Sequence, residues 1–403
     1  MRHRFPVRAV PMPLEDFSAL VRETAVLRRQ AAGAILAGRP VPPGLAADLG
    51  RVRDALDAAI ERDERLVLEL GDEQLLHLEM DEERAQLEND IVYLEEGREA
   101  LLKHLAKRHH GFRDAVRRAL RELAPPSVNL LVCQAGALFR APGQRRLTAV
   151  QPAWNAVALG RFAAARAKRP VLWSAGPLSG PGLADLCAVP PQEFTLAASM
   201  GRQIVDTTGR ESAWPLPLAQ ASLLESINAR LAMLLAEPDW RGFAYVGSGL
   251  QFRRGETVIA RQDGRDSLDE DASLALLEHV HDIVDAVDPE RDHFRVEDDG
   301  RDVTVSPTAP GGETSWAFSP DEGLRALADS LACDLGQGPH LACCGGPAGL
   351  ELLEALVAHT RDVRCLFVTD REELGRKARE LCPTTTVVAH PDIAAAIFSA
   401  AAP

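Results

Sequence analysis

The stretch Leu131–Leu138, read L-V-C-Q-A-G-A-L, marks the point where an apolar strand gives way to a turn. It continues the run Val128–Cys133, which is short, apolar and typical of a buried strand. Further runs of strand length alternate with helical patterns along the rest of the chain. They are Val171–Ser174, Phe194–Ala198, His340–Cys344, Val363–Thr369 and Thr385–Ala389. This alternation predicts a parallel sheet covered by helices, the α/β class.

The first 125 residues have a different pattern, in which leucines recur at helical spacing. We expect a helix beginning near Leu14, a second over Leu45–Leu70 and a long acidic one over Leu75–Leu105. The remaining surface alternates acids and bases, which is typical of a helical hairpin or coiled coil. Pro125-Pro126 predicts the end of this domain, because the residue before a proline disfavours helical backbone.

Residues from about 201 to 308 show a mixed pattern that predicts an inserted α+β unit. The expected strands are Phe243–Val246, Thr257–Arg261, Phe294–Glu297 and Val303–Val305, and the expected helices are Leu216–Leu235 and Leu268–Val287. The predicted domains are therefore 1–125, 127–200, 201–310 and 311–403, with the second and fourth forming one core.

Composition excludes several classes of protein. A formal net charge of −14 and a pI near 5.3 argue against a nucleic-acid partner. No apolar run approaches the roughly 18–20 residues that span a bilayer. The basic start, Met1–Val10, lacks the apolar segment of a secretory signal. Seven cysteines, an odd number, indicate free thiols in a reducing compartment, so we expect a cytoplasmic protein.

Several ordered motifs resemble one family. They are Thr148–Ala156, Ser174–Leu183, Ala198–Gln203, Gly247–Phe252 and Ala260–Asp263. Together they resemble the trehalose-6-phosphate phosphatases that carry an N-terminal helical domain, within the haloacid dehalogenase superfamily. The resemblance covers residues ~128–400 in order. It implies a haloacid-dehalogenase-like parallel-sheet core with an inserted α+β cap, preceded by an N-terminal helical hairpin or bundle.

The family's first motif is Asp-x-Asp-Gly-Thr, whose carboxylates attack phosphorus and move protons. Aligned on Gly136, this chain places Cys133 and Ala135 at those two positions. The resemblance likewise places Pro320 at the phosphate-neutralising lysine, and Gly346 and Leu350 at the carboxylates that bind Mg²⁺. Phosphoryl transfer depends on positioning and charge neutralisation, to which the metal and the cation contribute much. We therefore expect no catalytic residues and no metal or other cofactor, although the family implies Mg²⁺.

A ligand site is still expected in the cleft between core and cap. Ser174 matches the Ser or Thr that holds phosphoryl oxygens, and the family's cap motif Gly-Arg-Glu is read here as Gly201-Arg202-Gln203. The candidate ligand-binding residues are Ser174, Gly176, Arg202, Gln203, Arg253 and Arg254. The ligand implied by the resemblance is a sugar or sugar phosphate.

Three functions compete at this level. The first is a pseudophosphatase with a binding or regulatory role in trehalose-type disaccharide metabolism, whose partner is a trehalose-phosphate synthase-like glycosyltransferase or an active phosphatase. The second is an enzyme that acts on a disaccharide phosphate through non-standard residues, for which Asp185, Glu193 and Asp370 are nearby acids. The third is a scaffold or interaction protein, whose acidic helical hairpin over Gly50–His110 serves to form homodimers or to dock a partner.

Overall fold

The computed structural model describes residues 10–61, 65–71, 74–123, 127–140, 144–308 and 318–402. The predicted boundary at Pro125-Pro126 lies outside these ranges.

An N-terminal module packs helices around a small sheet. Its elements are β1 (Met12–Pro13), α1 (Leu14–Leu36), α2 (Leu45–Ala58), β2 (Arg65–Gly71), β3 (Gln74–Glu79), α3 (Asp81–Glu96), α4 (Arg98–Arg108) and α5 (Phe112–Leu123). Strands β2 and β3 form an antiparallel pair, and β1 joins β2 in parallel. The buried side chains of Phe17, Leu49, Leu66 and Leu78 belong to one apolar cluster that holds the module together.

Two predictions for this module are wrong. The helix expected over Leu45–Leu70 ends at Ala58, and the first residues of the expected acidic helix form β3. Leu66, Leu68 and Leu70 are all buried and recur at every second residue, as in a strand. Other leucines nearby recur at helical spacing, which made this two-residue period hard to recognise in the sequence. The acidic helix also breaks at Gly97, whose φ of 86° lies in the left-handed region that favours glycine.

The remaining elements follow in three groups. The first half of the core contains β4 (Val128–Gln134), α6 (Ala135–Phe139), α7 (Ala153–Arg166), β5 (Ala167–Trp173), α8 (Leu183–Leu186), β6 (Thr195–Ala198), β7 (Gln203–Val205) and β8 (Glu211–Ala213). The insertion contains α9 (Leu218–Leu234), β9 (Leu250–Arg253), β10 (Glu256–Ala260), α10 (Glu270–Val287), β11 (Phe294–Asp298) and β12 (Asp302–Pro307). The second half of the core contains α11 (Pro320–Ser330), β13 (His340–Gly345), α12 (Gly346–His359), β14 (Val363–Val368), α13 (Glu372–Leu381), β15 (Thr385–Val388) and α14 (Pro391–Ala401).

The core sheet has the strand order β15-β14-β13-β4-β5-β6-β7-β8 over the described residues. Neighbours from β15 to β6 are parallel, whereas β7 and β8 run antiparallel at the edge. Apolar clusters cover both faces of the sheet, as expected for buried parallel strands. The predicted α/β fold class is confirmed. Because β4, β5 and β13 are neighbours and parallel, their carboxyl ends meet at one edge, where open α/β sheets bind ligands.

The cap is a four-stranded antiparallel sheet, in the order β11-β12-β10-β9, packed against α9 and α10. The prediction of a strand over Phe243–Val246 is wrong, because a 3₁₀ helix covers Pro238–Tyr245. Its aromatic Phe243 is fully buried, so a short apolar run here reflects core packing rather than strand pairing. Strand β9 was not predicted.

A buried ion pair between α1 and α3 of the N-terminal module also holds the core through further hydrogen bonds. Arg28 Nε lies 2.7 Å from Asp90 Oδ2, and both side chains are almost completely buried. Arg28 also donates to the carbonyl of Val150, and Asp90 Oδ1 accepts from the backbone N–H of Trp154. The segment that leads into α7 is therefore held by the N-terminal helices.

Within the described ranges, no helix combines the length and apolar character needed to cross a bilayer.

Candidate functional site

A cavity of about 240 Å³ opens at the carboxyl edge of the core sheet, facing the cap. Its walls include the ends of β4 and β5, the loop between α6 and α7, and the cap strands, with further apolar residues from α8 and α12. Polar or small lining residues from these parts are Gln134, Ala135, Gly136, Arg140, Arg146, Ser174, Gly176, Ser248, Gln251, Arg253 and Asp302.

Three arginines give this cavity a positive charge. They are Arg140, Arg146 and Arg253, and among the described lining residues they face a single carboxylate, that of Asp302. Asp302 Oδ1 already accepts a hydrogen bond from Ser248 Oγ at 2.5 Å. Burial raises the pKa of Asp302, while the Ser248 hydroxyl and the nearby arginines act in the opposite direction. The excess of cations favours an anionic ligand, although the whole chain carries a net charge of −14.

Arg146 is held in the cavity without a partner for much of its guanidinium group. Its Nε and Nη2 are buried and have no hydrogen-bond partner among the described residues. Burial, followed by the charges of Arg253 and Arg140, lowers the pKa of Arg146 to about 9. A buried, unpaired cation is costly, so a bound anion would offset the cost that Arg146 imposes.

The loop that carries Arg146 is fixed by its neighbours on both sides. The Arg146 backbone N–H donates to the carbonyl of Gly247 in the cap. Arg145 Nη1 donates to the carbonyl of Glu79, and Thr148 Oγ1 donates to Glu83 Oε1 at 2.5 Å, both in the N-terminal module. The position of Arg146 therefore depends on contacts from all three parts of the molecule.

Arg253 and Arg140 differ in how they are held. Arg253 Nη1 donates to Glu256 Oε1 at 2.8 Å, and its Nε donates to Gln251 Oε1 at 3.2 Å. The cap thus orients Arg253 before any ligand binds. Arg140 makes no hydrogen bond or ion pair with the described residues, and burial of its charged group lowers its pKa, so its guanidinium is available to a ligand in the cavity.

Four of the residues predicted from the sequence line this cavity. They are Ala135, Ser174, Gly176 and Arg253. The Ser174 hydroxyl accepts a hydrogen bond from the Gly176 N–H at 3.0 Å, so its own proton remains available to a ligand oxygen.

Cys133 lies below the cavity rather than in it. It is fully buried in β4 and pairs in register with Cys343 of β13. Burial, followed by the neighbouring Cys133, raises the pKa of the Cys343 thiol well above its usual range. The next residue, Gln134, reaches the cavity, and its Oε1 accepts the backbone N–H of Gly345 at 2.9 Å. That carboxamide links the carboxyl ends of β4 and β13.

The other predicted ligand-binding residues lie elsewhere. Arg202 contributes to a separate small cavity, where its guanidinium lies 4.7 Å from the ring centroid of Phe318. It donates to the carbonyl of Arg254 at 2.8 Å and lies 3.6 Å from Glu256 Oε2. Gln203 begins β7, and Arg254 Nε donates to the Trp214 carbonyl. None of these three is among the described residues that line the arginine-rich cavity.

The other three positions given by the resemblance, Pro320, Gly346 and Leu350, lie in helices α11 and α12. Pro320 is the first residue of α11 and follows the capping residue Ser319. Gly346 begins α12 with a φ of 67°, and Leu350 packs partly buried against the core.

The sequence reasoning missed Arg140 and Arg146. A signal was present in R-A-P-G-Q-R-R, residues 140–146, which places three arginines just after the first core strand of an acidic chain. The pattern did not distinguish Arg145 from Arg146. Arg145 lies 3.4 Å from Asp263 in a buried pair, whereas Arg146 faces the cavity.

A second cluster of titratable residues lies away from the cavity. His109, His390 and Asp392 place ligand atoms within 4.8 Å of one another, the spacing of a metal site. Their groups also satisfy each other, because His109 Nε2 is 2.9 Å from Asp392 Oδ2 and His390 Nδ1 accepts the Asp392 N–H. The cluster joins the end of α4 to the start of α14.

Two family models match the chain. One, described as “Trehalose-6-phosphate phosphatase N-terminal helical bundle domain”, covers residues 13–110. The other, described as “Trehalose-6-phosphate phosphatase, C-terminal”, covers residues 140–394 and therefore more than half of the chain.

Individual proteins show the same relationship. “Alpha,alpha-trehalose-phosphate synthase [UDP-forming] 1” of Aphelenchoides avenae is 26% identical over 390 residues, which cover 92% of this chain and 33% of the relative. The chain thus spans about a third of the length of this relative. “Trehalose-phosphatase” of Caenorhabditis elegans is 26% identical over 271 residues, covering 62% of this chain and 58% of the relative.

Among solved structures, the C-terminal domain of C. albicans trehalose-6-phosphate phosphatase aligns with a TM-score of 0.43 at 10% identity, covering 73% of this chain and 97% of that one. The sequence matches, which extend over both the helical module and the core with its cap, establish the relationship. The chain belongs to the trehalose-6-phosphate phosphatase family, of the type with an N-terminal helical bundle.

Proposed function

We propose that this protein binds a phosphorylated sugar between its core and cap and does not hydrolyse the phosphate ester. The observation that carries this proposal is the convergence of Arg140, Arg146 and Arg253 on one cavity, with two buried nitrogens of Arg146 unpaired. A guanidinium group presents its donors in a planar fork that matches phosphate oxygens.

Neutral polar groups beside the arginines suit the rest of such a ligand. The Ser174 hydroxyl and the Gln251 carboxamide line the same cavity and can exchange hydrogen bonds with sugar hydroxyls. Gly176, which has no side chain, leaves the space that the Arg146 guanidinium occupies. The names of the relatives support a trehalose-type disaccharide phosphate as the ligand.

The absence of hydrolysis is proposed from the residues at the family's reacting positions. Cys133 is a fully buried thiol and Ala135 offers no titratable group. Gly346 has no side chain, and Leu350 packs on the core. Mg²⁺ takes hard oxygen ligands, usually carboxylates, so these residues do not fit the ion that the family implies. No step of the proposed function passes through a metal.

Binding without turnover suits a regulatory partner of sugar-phosphate enzymes. Relatives of this chain are named as trehalose-phosphate synthases and are about three times as long as the matching part. We therefore include a synthase-like glycosyltransferase, or an active phosphatase, as the proposed partner.

Calorimetry with the full chain tests the ligand. We expect trehalose 6-phosphate and glucose 6-phosphate to bind, and unphosphorylated trehalose to bind at least about tenfold more weakly. The control is Arg146→Met, which removes the unpaired cation. Equal affinity for trehalose and trehalose 6-phosphate, or no binding of either phosphate ester, would overturn the proposal that the protein binds a phosphorylated sugar.

A phosphate-release assay tests the second part of the proposal, that the protein does not hydrolyse the phosphate ester. With trehalose 6-phosphate and Mg²⁺, we expect no release above that of buffer. Release that EDTA abolishes and that remains after repurification would show an active phosphatase with non-standard residues instead.

A further inference from the structure

Helix α1 lines a second, larger cavity beside the first. This cavity measures about 610 Å³ and lies between α1, the core and the cap. Ser18, Arg22, Ala25 and Arg29 recur at spacings of three and four residues, so they occupy one face of the helix, and all four line the cavity. One face of α1, in the N-terminal module, therefore lines this cavity over about three helical turns.

The two cavities share part of their walls. Arg146, Leu186, Ser248 and Gln251 line both of them. A ligand whose phosphate is held by Arg146 therefore sits at the boundary, and the remainder of the ligand can extend towards α1.

The chemistry of the second cavity suits a sugar unit. Arg22 makes no hydrogen bond or ion pair with the described residues, and Arg29 is exposed on the same helix face. Asp185, an acid in the lining, already accepts the N–H groups of Gly180 and Gly182. Valines and leucines alternate with these polar groups, and a sugar ring offers both hydroxyls and an apolar face.

We infer that α1 forms a wall of the ligand site, and that Arg22 and Arg29 bind the part of the ligand that lies beyond the phosphate. This inference rests on the proposed function, because it assumes that the phosphate occupies the arginine-rich cavity. It assigns the N-terminal module a direct role in selecting ligands that are larger than a monosaccharide phosphate.

The test is calorimetry on the full chain with trehalose 6-phosphate, glucose 6-phosphate and inorganic phosphate. We expect the double variant Arg22→Ala/Arg29→Ala to lose about tenfold or more in affinity for trehalose 6-phosphate. Its affinities for the two smaller probes should change by less than about threefold, since Arg140, Arg146 and Arg253 remain. The matched control is Arg118→Ala, which removes an exposed arginine of α5 that makes no hydrogen bond or ion pair with the described residues.

The outcomes separate the two proposals. If the wild-type chain binds none of the three probes, the proposed function fails and the inference fails with it. If the wild type binds them but the double variant binds trehalose 6-phosphate as tightly as before, or loses all three equally, only the role of α1 is overturned. Circular dichroism spectra that match the wild type establish that both variants are folded.

Discussion

The guanidinium group of Arg146 occupies the space that a side chain at Gly176 would take. A Cβ built on Gly176 would lie 2.1 Å from both Nη1 and Nη2 of Arg146. Gly176 follows the end of β5 by three residues, whereas Arg146 comes from the loop before α7. This contact places an unpaired cation at the carboxyl edge of the sheet.

Gly176→Ala should displace Arg146 and weaken ligand binding. The added methyl group collides with the tip of a flexible side chain, so the chain can fold with the guanidinium moved aside. We expect inorganic phosphate and trehalose 6-phosphate to lose about tenfold in affinity by calorimetry. Gly50→Ala is the control, because Gly50 lies in α2, is not among the residues that line the cavity, and a Cβ there would meet no atom within 4 Å. Equal effects of the two variants would contradict the role given to Arg146.

Arg146→Met should stabilise the free protein while it removes phosphate binding. The substitution replaces a buried, partly unpaired cation by an apolar side chain of similar length, which we expect to raise the free energy of unfolding by roughly 1–2 kcal/mol. Urea denaturation measures this change. Saturating trehalose 6-phosphate should stabilise the wild type and leave the variant unchanged. A variant less stable than the wild type would show that Arg146 has structural partners.

Phosphate affinity should depend on the charge of Arg146. Below its pKa of about 9 the guanidinium is protonated, so affinity should be constant between about pH 7.5 and 8.5 and fall by up to tenfold per pH unit above about pH 9. The pKa of Arg146 is lower in the folded than in the unfolded chain, so the unfolded state binds more protons above pH 9. Above pH 9, deprotonation of Arg146 in the folded chain therefore makes the free energy of unfolding rise with pH, whereas the affinity for the ligand falls. Calorimetry on the wild type measures the fall in ligand affinity with pH. Urea denaturation of the wild type and of Arg146→Met should give different pH dependences of the free energy of unfolding, and parallel unfolding curves would exclude this role of Arg146.

Cys133→Ala should leave the ligand site intact. The thiol is fully buried beneath the cavity, so we expect a loss of about 1 kcal/mol in stability from reduced packing. Affinity for trehalose 6-phosphate should remain within experimental error, whereas Ser174→Ala, which removes a group that lines the cavity, should weaken it. If phosphate release is measurable in the wild type and disappears in Cys133→Ala, the thiol acts as a nucleophile.

Asp90→Ala should destabilise the protein strongly, because it leaves the buried charge of Arg28 without its partner. We expect a loss of about 3–5 kcal/mol in urea denaturation. The double variant Arg28→Met/Asp90→Leu should recover a large part of this loss. Arg51→Ala breaks the exposed contacts with Glu23 and Asp48 and should cost at most about 1 kcal/mol. Comparable losses in Asp90→Ala and Arg51→Ala would contradict the importance of the buried pair.

Much of the fold could be predicted because burial leaves a local pattern. The apolar runs that became β4, β13 and β14 are buried on both faces, so each run identifies its strand without knowledge of the neighbours. The β2–β3 hairpin could not be predicted in the same way. Leucine fits helices and strands alike, and the choice was made by packing against α1 and α2 in the N-terminal core.

The candidate site was predicted only in part, for a related reason. Ser174 and Gly176 follow a core strand, and parallel strands bring their carboxyl ends to one edge. Arginines carry no such positional pattern. Arg202 and Arg253 both contact Glu256, yet Arg253 lines the cavity and Arg202 turns towards Phe318.

The sequence by itself determined the α/β core, the inserted cap and the residue types at the end of the first strand, because these depend on periodicity and on single positions. Only the tertiary structure decided that Arg140, Arg146 and Arg253 share one cavity and that α1 lines the next. The physical reason is that convergence of charges depends on where distant segments cross. The loop of Arg146 is fixed at once by Glu79, Glu83 and Gly247, which are far apart in the chain.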